Sequence, residues 1–212
     1  MASSIVHSAV ISELIKLRSF ADPNRLRFGA IVVDFGDGNS HLKVTFDGGR
    51  KKTYDLDAFR SAFGKRMLED DLYLGYYLHL IQDAVFRRFV YDKHGWDPIP
   101  PGNVEKLHND YSLVNRYIIE KYRLTNDIAV PEGFEEERLC EICRFNTRLL
   151  AESMDSFFNS AANGEIFFFT KAMSDEYIAE AVAACAKEID ELRSGANGLD
   201  MYACAWDRKH RT

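Results

Sequence analysis

No apolar run in this 212-residue chain approaches the roughly 20 residues that span a bilayer. The first residues also lack the basic-then-apolar pattern of a secretory signal, so the expected location is the cytoplasm. Positive charge is not in excess: the formal net charge is -6, which argues against a role in coating nucleic acid, where phosphates are neutralised by Lys and Arg. A phosphate ester stays open as a ligand, because a divalent cation reverses the local potential whatever the net charge. Cysteine is scarce. Cys140 and Cys143 form a CxxC, but Cys185 and Cys204 stand alone; a zinc ribbon needs a second pair, so these read as buried or half-buried thiols, and no disulfide is expected. No internal repeat or low-complexity tract is evident.

What is present is a packing composition, 46% hydrophobic and 13% aromatic, in a length suited to one domain, 1 to 212, with one sizeable core. Helical periods cover about 4 to 19, ending near Asp22-Pro23, then 57 to 66 with Asp57 as cap, 69 to 91, 104 to 122, 134 to 161, and 174 to 194 with Ser174 as cap. Alternating residues around Asp47-Gly48-Gly49 predict a small β-hairpin over 41 to 56. Trp96-Asp97-Pro98-Ile99-Pro100-Pro101-Gly102 is a breaker-rich connector. The expected fold is a mainly α, single-domain helical bundle with that one hairpin.

His79 and Asp83 carry the chemistry. They lie four residues apart inside the run Leu72 to Asp83, so a helix presents both on one buried face. A buried imidazole and carboxylate need partners; they can bond to each other or to a neighbouring helix, or share a divalent metal. Gly75 lies on the same stripe, where a mid-helix glycine costs about 1 kcal/mol relative to alanine and suggests a close approach by another element. Two more segments offer ligands: the capped helix Ser3-Ser4-Ile5-Val6-His7, and an apolar stretch ending in Asp34 with a glycine-rich loop leading to Ser40-His41.

Taken in order, His7, the Gly29-Ala30-Ile31 to Asp34 segment, Ser40-His41, and Gly75-Tyr76-Tyr77-Leu78-His79-Leu80-Ile81-Gln82-Asp83 resemble the zinc-dependent phospholipase C and single-strand-specific nuclease superfamily, in particular its small bacterial phospholipase C-like hydrolases. The resemblance implies an all-helical fold with one or two zinc ions, or another divalent metal, in a cleft. Asp34, His41, His79 and Asp83 would hold one ion, and Asp83 would bridge to a second that also takes His7. It also implies a small-molecule or lipid-like phosphoester as substrate, hydrolysed by a metal-activated water. The chain departs from the family in having no later H-x-x-x-E/D pair.

His108-Asn109-Asp110-Tyr111 adds His108 as a further candidate ligand, and Asp37 and Asp110 as candidates to orient the water or a ligand histidine; Asp110 is equally suited to capping a helix. Arg87, Arg88 and Arg116 are candidate phosphate contacts. The same residues also admit a second function, a non-catalytic helical binding or scaffold protein that keeps a metal site.

Overall fold

The computed structural model describes residues 2–160 and 162–207. It is mainly α, with seven α-helices among the described residues and a small antiparallel sheet. The helices are α1 (Ser4–Leu17), α2 (Pro23–Val32), α3 (Leu56–Glu69), α4 (Asp71–Arg87), α5 (Asn103–Tyr122), α6 (Thr147–Asn159) and α7 (Lys171–Ser194). Their starts follow from short polar side chains that accept the first free backbone N–H groups. Ser3 accepts from Val6, Asp70 from Leu72 and Thr170 from Met173.

Asp22-Pro23 begins a helix rather than merely ending one. The Asp22 carboxylate accepts from the N–H groups of Asn24 and Arg25, and Pro23 sits where a missing N–H costs nothing. The stretch leading to Asp34 is therefore helical. Asp55, not Asp57, caps α3 by accepting from Ala58, and α7 starts three residues ahead of Ser174, at Lys171. The largest correction lies at 134 to 161, where a continuous helix was expected. Gly133 takes the left-handed conformation, two short 3-10 turns follow, and α6 starts only at Thr147, capped by Asn146, whose side chain accepts from Leu149; residue 161 lies outside the described residues.

The hairpin forms with β1 (Lys43–Phe46) paired to β2 (Lys51–Tyr54), Val44 opposite Thr53. A third strand, β3 (Trp206–Asp207), adds to its other edge with Trp206 opposite Lys52. That pairing joins segments about 150 residues apart in sequence, and it seats the Trp206 ring 5.0 Å from Tyr54.

Helix α4 is the centre of the molecule, buried from Leu72 to Arg87 except at Val85, with α2, α3 and α7 packed around it and α1 reaching it through His7, which stacks on His79. Its contact with α2 is backbone to backbone. A Cβ on Gly75 would lie 2.2 Å from the Leu26 carbonyl oxygen, and one on Gly29 would lie 2.2 Å from the Leu72 carbonyl oxygen. The two glycines face each other reciprocally, and only their bare backbones let the helices approach this closely. This crossing places α2 backbone against the side chains of α4. After Arg87 the helix widens into a π turn, 88–93, a rare form often found beside functional sites. No helix among the described residues is long and apolar enough to cross a membrane.

Candidate metal centre

His7 from α1, Asp34 from the 3-10 turn 33–35 after α2, His41 from the loop before β1, and His79 and Asp83 from α4 converge on one point. His7, His79 and Asp83 have no exposed surface, while the side chains of His41 and Asp34 are 10% and 15% exposed. The cluster thus has a dry floor and one side facing solvent.

Each histidine turns Nε2 inward. His7 Nε2 lies 3.5 Å from Asp83 Oδ1; His41 Nε2 lies 3.5 Å from Asp34 Oδ1 and 3.7 Å from Asp83 Oδ2; His79 Nε2 lies 3.8 Å from both Asp34 Oδ1 and Asp83 Oδ2. All three inward nitrogens are buried without a hydrogen bond. These separations exceed good hydrogen bonds, yet they approach the roughly 3.3 to 3.6 Å between neighbouring ligands of a tetrahedral ion whose bonds are about 2.0 to 2.2 Å. Asp34, His41 and His79 form one set of three donors within 4.8 Å of one another and His7, His79 and Asp83 a second, the two sets sharing His79. Asp83 Oδ1, aimed at His7, provides a second direction from the same carboxylate.

The outer atoms are all held. His79 Nδ1 donates to the Ala30 carbonyl at 2.8 Å, His7 Nδ1 donates to Gln82 Oε1 at 2.9 Å, and His41 Nδ1 lies 3.0 Å from Ser40 Oγ. Fixing a proton on Nδ1 leaves the Nε2 lone pair pointing at the centre, as ligand histidines require. Ser4 Oγ donates to Asp34 Oδ2 at 2.9 Å, leaving Oδ1 for the cluster. The Ala2 N–H and the Tyr54 hydroxyl donate to Asp83 at 3.1 and 3.3 Å. The Ala30 bond depends directly on the α2–α4 glycine contact. Ser40 and Gln82 stand beside His41 and Asp83 in sequence, whereas nothing local marks Ser4, Ala30 or Tyr54 as their partners.

The backbone also strains toward the site. Leu42, next to His41, has φ of 50°, a left-handed conformation costing about 1 to 2 kcal/mol for a branched side chain. It is held there by Leu42 N–H to Asn39 O and Asp55 N–H to Leu42 O, both 2.8 Å. Charge is tuned too. Burial drives Asp34 upward, but the imidazoles of His79, His41 and His7 overcome it and hold the carboxyl at about 2. Asp83 lies well below its ordinary value because His7 and its other neighbours outweigh burial. Burial and the charge of His7 push His79 down to about 3, so it is neutral. Burial opposes the charged form of His7 as well, yet Asp83 and Asp34 raise its pKa above 6.5. Two ionised carboxylates and a neutral His79 are ready ligands for a divalent cation.

Three candidates lie apart from this cluster. Asp37 is exposed and braces a loop: its carboxylate accepts from Arg144 N–H, and its own N–H donates to the Arg144 carbonyl. Asp110 is buried within α5, where its oxygens accept from the N–H groups of Phe167, Phe168 and Phe169 at 2.7 to 2.9 Å. Both of its oxygens are engaged by these backbone donors, so it clamps the turn before α7. His108, exposed on α5, lines a neighbouring cavity and has no place among the five. Of the three arginines, only Arg87 adjoins the cluster, one turn beyond Asp83; Arg116 pairs with Glu120, and Arg88 lines a separate cleft with Asp92 and Glu180. The four cysteines are free thiols, Cys140 and Cys143 half-buried.

Comparison of the chain with protein families, with characterised proteins and with solved structures finds no match.

Proposed function

We propose that this protein is a metal-dependent hydrolase of phosphoesters, with zinc as the ion. The observation that carries the proposal is the set of inward-facing, unbonded Nε2 atoms on His7, His41 and His79, each beside an ionised carboxylate and each locked from outside through Nδ1. Leaving three such nitrogens in a buried site would be costly without a ligand. A mixed nitrogen and oxygen donor set suits zinc. When bound, a divalent ion with an open position supplies a water of near-neutral pKa and polarises an ester oxygen.

The residues do the rest. Asp34, His41 and His79 would hold one ion, with Asp83 Oδ2 3.7 and 3.8 Å from the two imidazoles as a fourth donor, and Asp83 Oδ1 and His7 would serve a second ion. The exposed edges of Asp34 and His41 leave the approach to substrate on the solvent side. The likeness of the ordered motif to zinc-dependent phospholipases C and nucleases supports the phosphoester. A metal-binding scaffold without turnover is the second reading; the lack of a later H-x-x-x-E/D pair favours it. The test is elemental analysis of the purified protein, followed by a panel of phosphomonoesters and phosphodiesters with added zinc or manganese. Bound metal with turnover supports the hydrolase, bound metal with persistent inactivity supports the scaffold, and absence of stoichiometric metal defeats both.

A further inference from the structure

A cavity of about 280 Å³ opens beside the cluster, between the end of α4, the π turn and α5. Phe86, Val90, Trp96 and Leu107 give it an apolar wall, and Lys43 and Arg87 bring two cations to it; none of its lining residues is acidic. Those cations are tied to the metal ligands by the fold. His79, Asp83 and Arg87 follow one another at four-residue spacing, so the stripe that carries two ligands continues into this cavity. Lys43 comes two residues after His41 and interacts with the charges of both Asp83 and Asp34. The Tyr54 hydroxyl, 3.3 Å from Asp83, also hydrogen-bonds Arg87. The guanidinium is fixed by stacking 4.7 Å from the Trp206 ring and 5.4 Å from Tyr91, and the π turn presents Val90 and Tyr91 to the same space.

We propose that this cavity selects the substrate's organic group: it takes small anionic phosphoesters bearing one apolar group of about ring size, with Lys43 and Arg87 on the phosphate oxygens. The proposal rests on the hydrolase reading above and specifies its substrate. Size sets one limit. An apolar cavity of about 150 Å³ holds a benzene molecule, so 280 Å³ accommodates a ring and its attached oxyanion but not two long acyl chains. Charge sets the other. Aromatic faces alone attract cations, but repulsion from the Arg87 and Lys43 charges at close range is stronger than that attraction and turns away a quaternary ammonium headgroup.

Both tryptophans of the chain report on this place, Trp96 in the wall and Trp206 beneath Arg87. The full chain, stripped of metal with EDTA, is titrated with phenylphosphonate, inorganic phosphate and phosphocholine while tryptophan emission is followed. Phenylphosphonate is expected to bind about tenfold tighter than phosphate, since burying a ring is worth at least that factor, and phosphocholine to bind more weakly than either. Val104→Trp fills the cavity from α5 without touching a cation; it should weaken phenylphosphonate at least about tenfold while zinc stoichiometry is retained. Arg87→Met and Lys43→Met should weaken phenylphosphonate and phosphate together. Equal affinity for phenylphosphonate and phosphocholine, or unchanged affinity in Val104→Trp, overturns the proposal. Binding of phenylphosphonate to this cavity with no hydrolysis of phenyl phosphate to phenol and phosphate by the zinc-loaded protein would overturn the hydrolase reading instead and leave a selective anion pocket.

Discussion

Helix α4 buries polar groups on two of its sides, and the two sides are finished differently. Toward α7, the Glu188 carboxylate is 2% exposed and fully engaged: the Tyr77 hydroxyl donates at 2.5 Å, Leu199 N–H at 2.8 Å, and Arg60 at 3.4 Å. Asp110 is closed off in the same way by three backbone N–H groups. Toward α1 and α2, three imidazoles and two carboxylates are brought together with their inner nitrogens unbonded. A buried carboxylate surrounded by protein donors holds the chain in place. A buried carboxylate that faces unbonded imidazole nitrogens, as Asp83 does beyond its bonds from Ala2 and Tyr54, calls for a cation. Burial alone does not separate the two uses; what does is whether the neighbours donate or accept.

The largest break in that contrast is removal of a ligand on α4. His79→Ala and Asp83→Asn are expected to abolish stoichiometric metal binding and any hydrolysis, whereas Cys140→Ser keeps both; metal content by mass spectrometry of the purified variants decides it. Variants of His79 and Asp83 with full metal content would place the centre elsewhere.

Next is Gly75→Ala, which touches no ligand. Its Cβ would meet the Leu26 carbonyl, so the helices must part, at about 3 kcal/mol of stability. The His79 bond to the Ala30 carbonyl should be lost with that shift, and metal affinity with it. Denaturant unfolding alongside a zinc titration checks both, and an unchanged midpoint would show that α2 and α4 do not depend on this contact.

Smaller effects sharpen the comparison from each side. Gln82→Leu frees His7 Nδ1 and should lower metal affinity by about 10- to 100-fold, as loss of an orienting partner does. Glu188→Gln should do the reverse, costing about 2 kcal/mol of stability through its donors with metal affinity unaltered. Loss of metal in the Glu188 variant would mean that the two sides of α4 are coupled.

The mildest probe is acid. Burial opposes the charged form of His7, yet Asp83 and Asp34 raise its pKa, so a proton competes with zinc for Nε2 and binding near neutrality should release protons. Calorimetry in buffers of different ionisation enthalpy measures that release, and its absence at pH 7 would mean that His7 is neutral beforehand. For metal-free stability the signs are opposed. The raised His7 contributes below pH 6.5 and loses its effect as pH rises through its folded value. Asp34 contributes above pH 3.8 and loses its effect as pH falls through about 2. His79 belongs with Asp34, its contribution fading from pH 6.5 down to about 3.

Much of this was legible without coordinates because it is local. The four-residue spacing of His79 and Asp83 fixes their common face, Gly75 announces a close neighbour, and Asp47-Gly48-Gly49 marks the hairpin turn. Where local signals have two uses, the sequence does not choose between them. Asp22-Pro23 ends one helix and starts another, and an acidic residue such as Asp37 or Asp110 can orient a water or clamp a loop; here backbone donors from distant segments decide for the clamp. Periodicity over 134 to 161 also failed where Gly133 and the 3-10 turns interrupt it.

The chain by itself determined which residues can be ligands and which helix carries two of them, since side-chain chemistry and the 3.6-residue turn are local properties. Tertiary structure alone decided which groups hold the outer nitrogens of His7 and His79, that Ser4 ties back one oxygen of Asp34, that Tyr54 touches Asp83, and that β3 brings Trp206 under Arg87. Those choices are made by contacts between segments 30 to 150 residues apart, where the energy lies in donors and acceptors meeting across the core and not in the pattern of any one element.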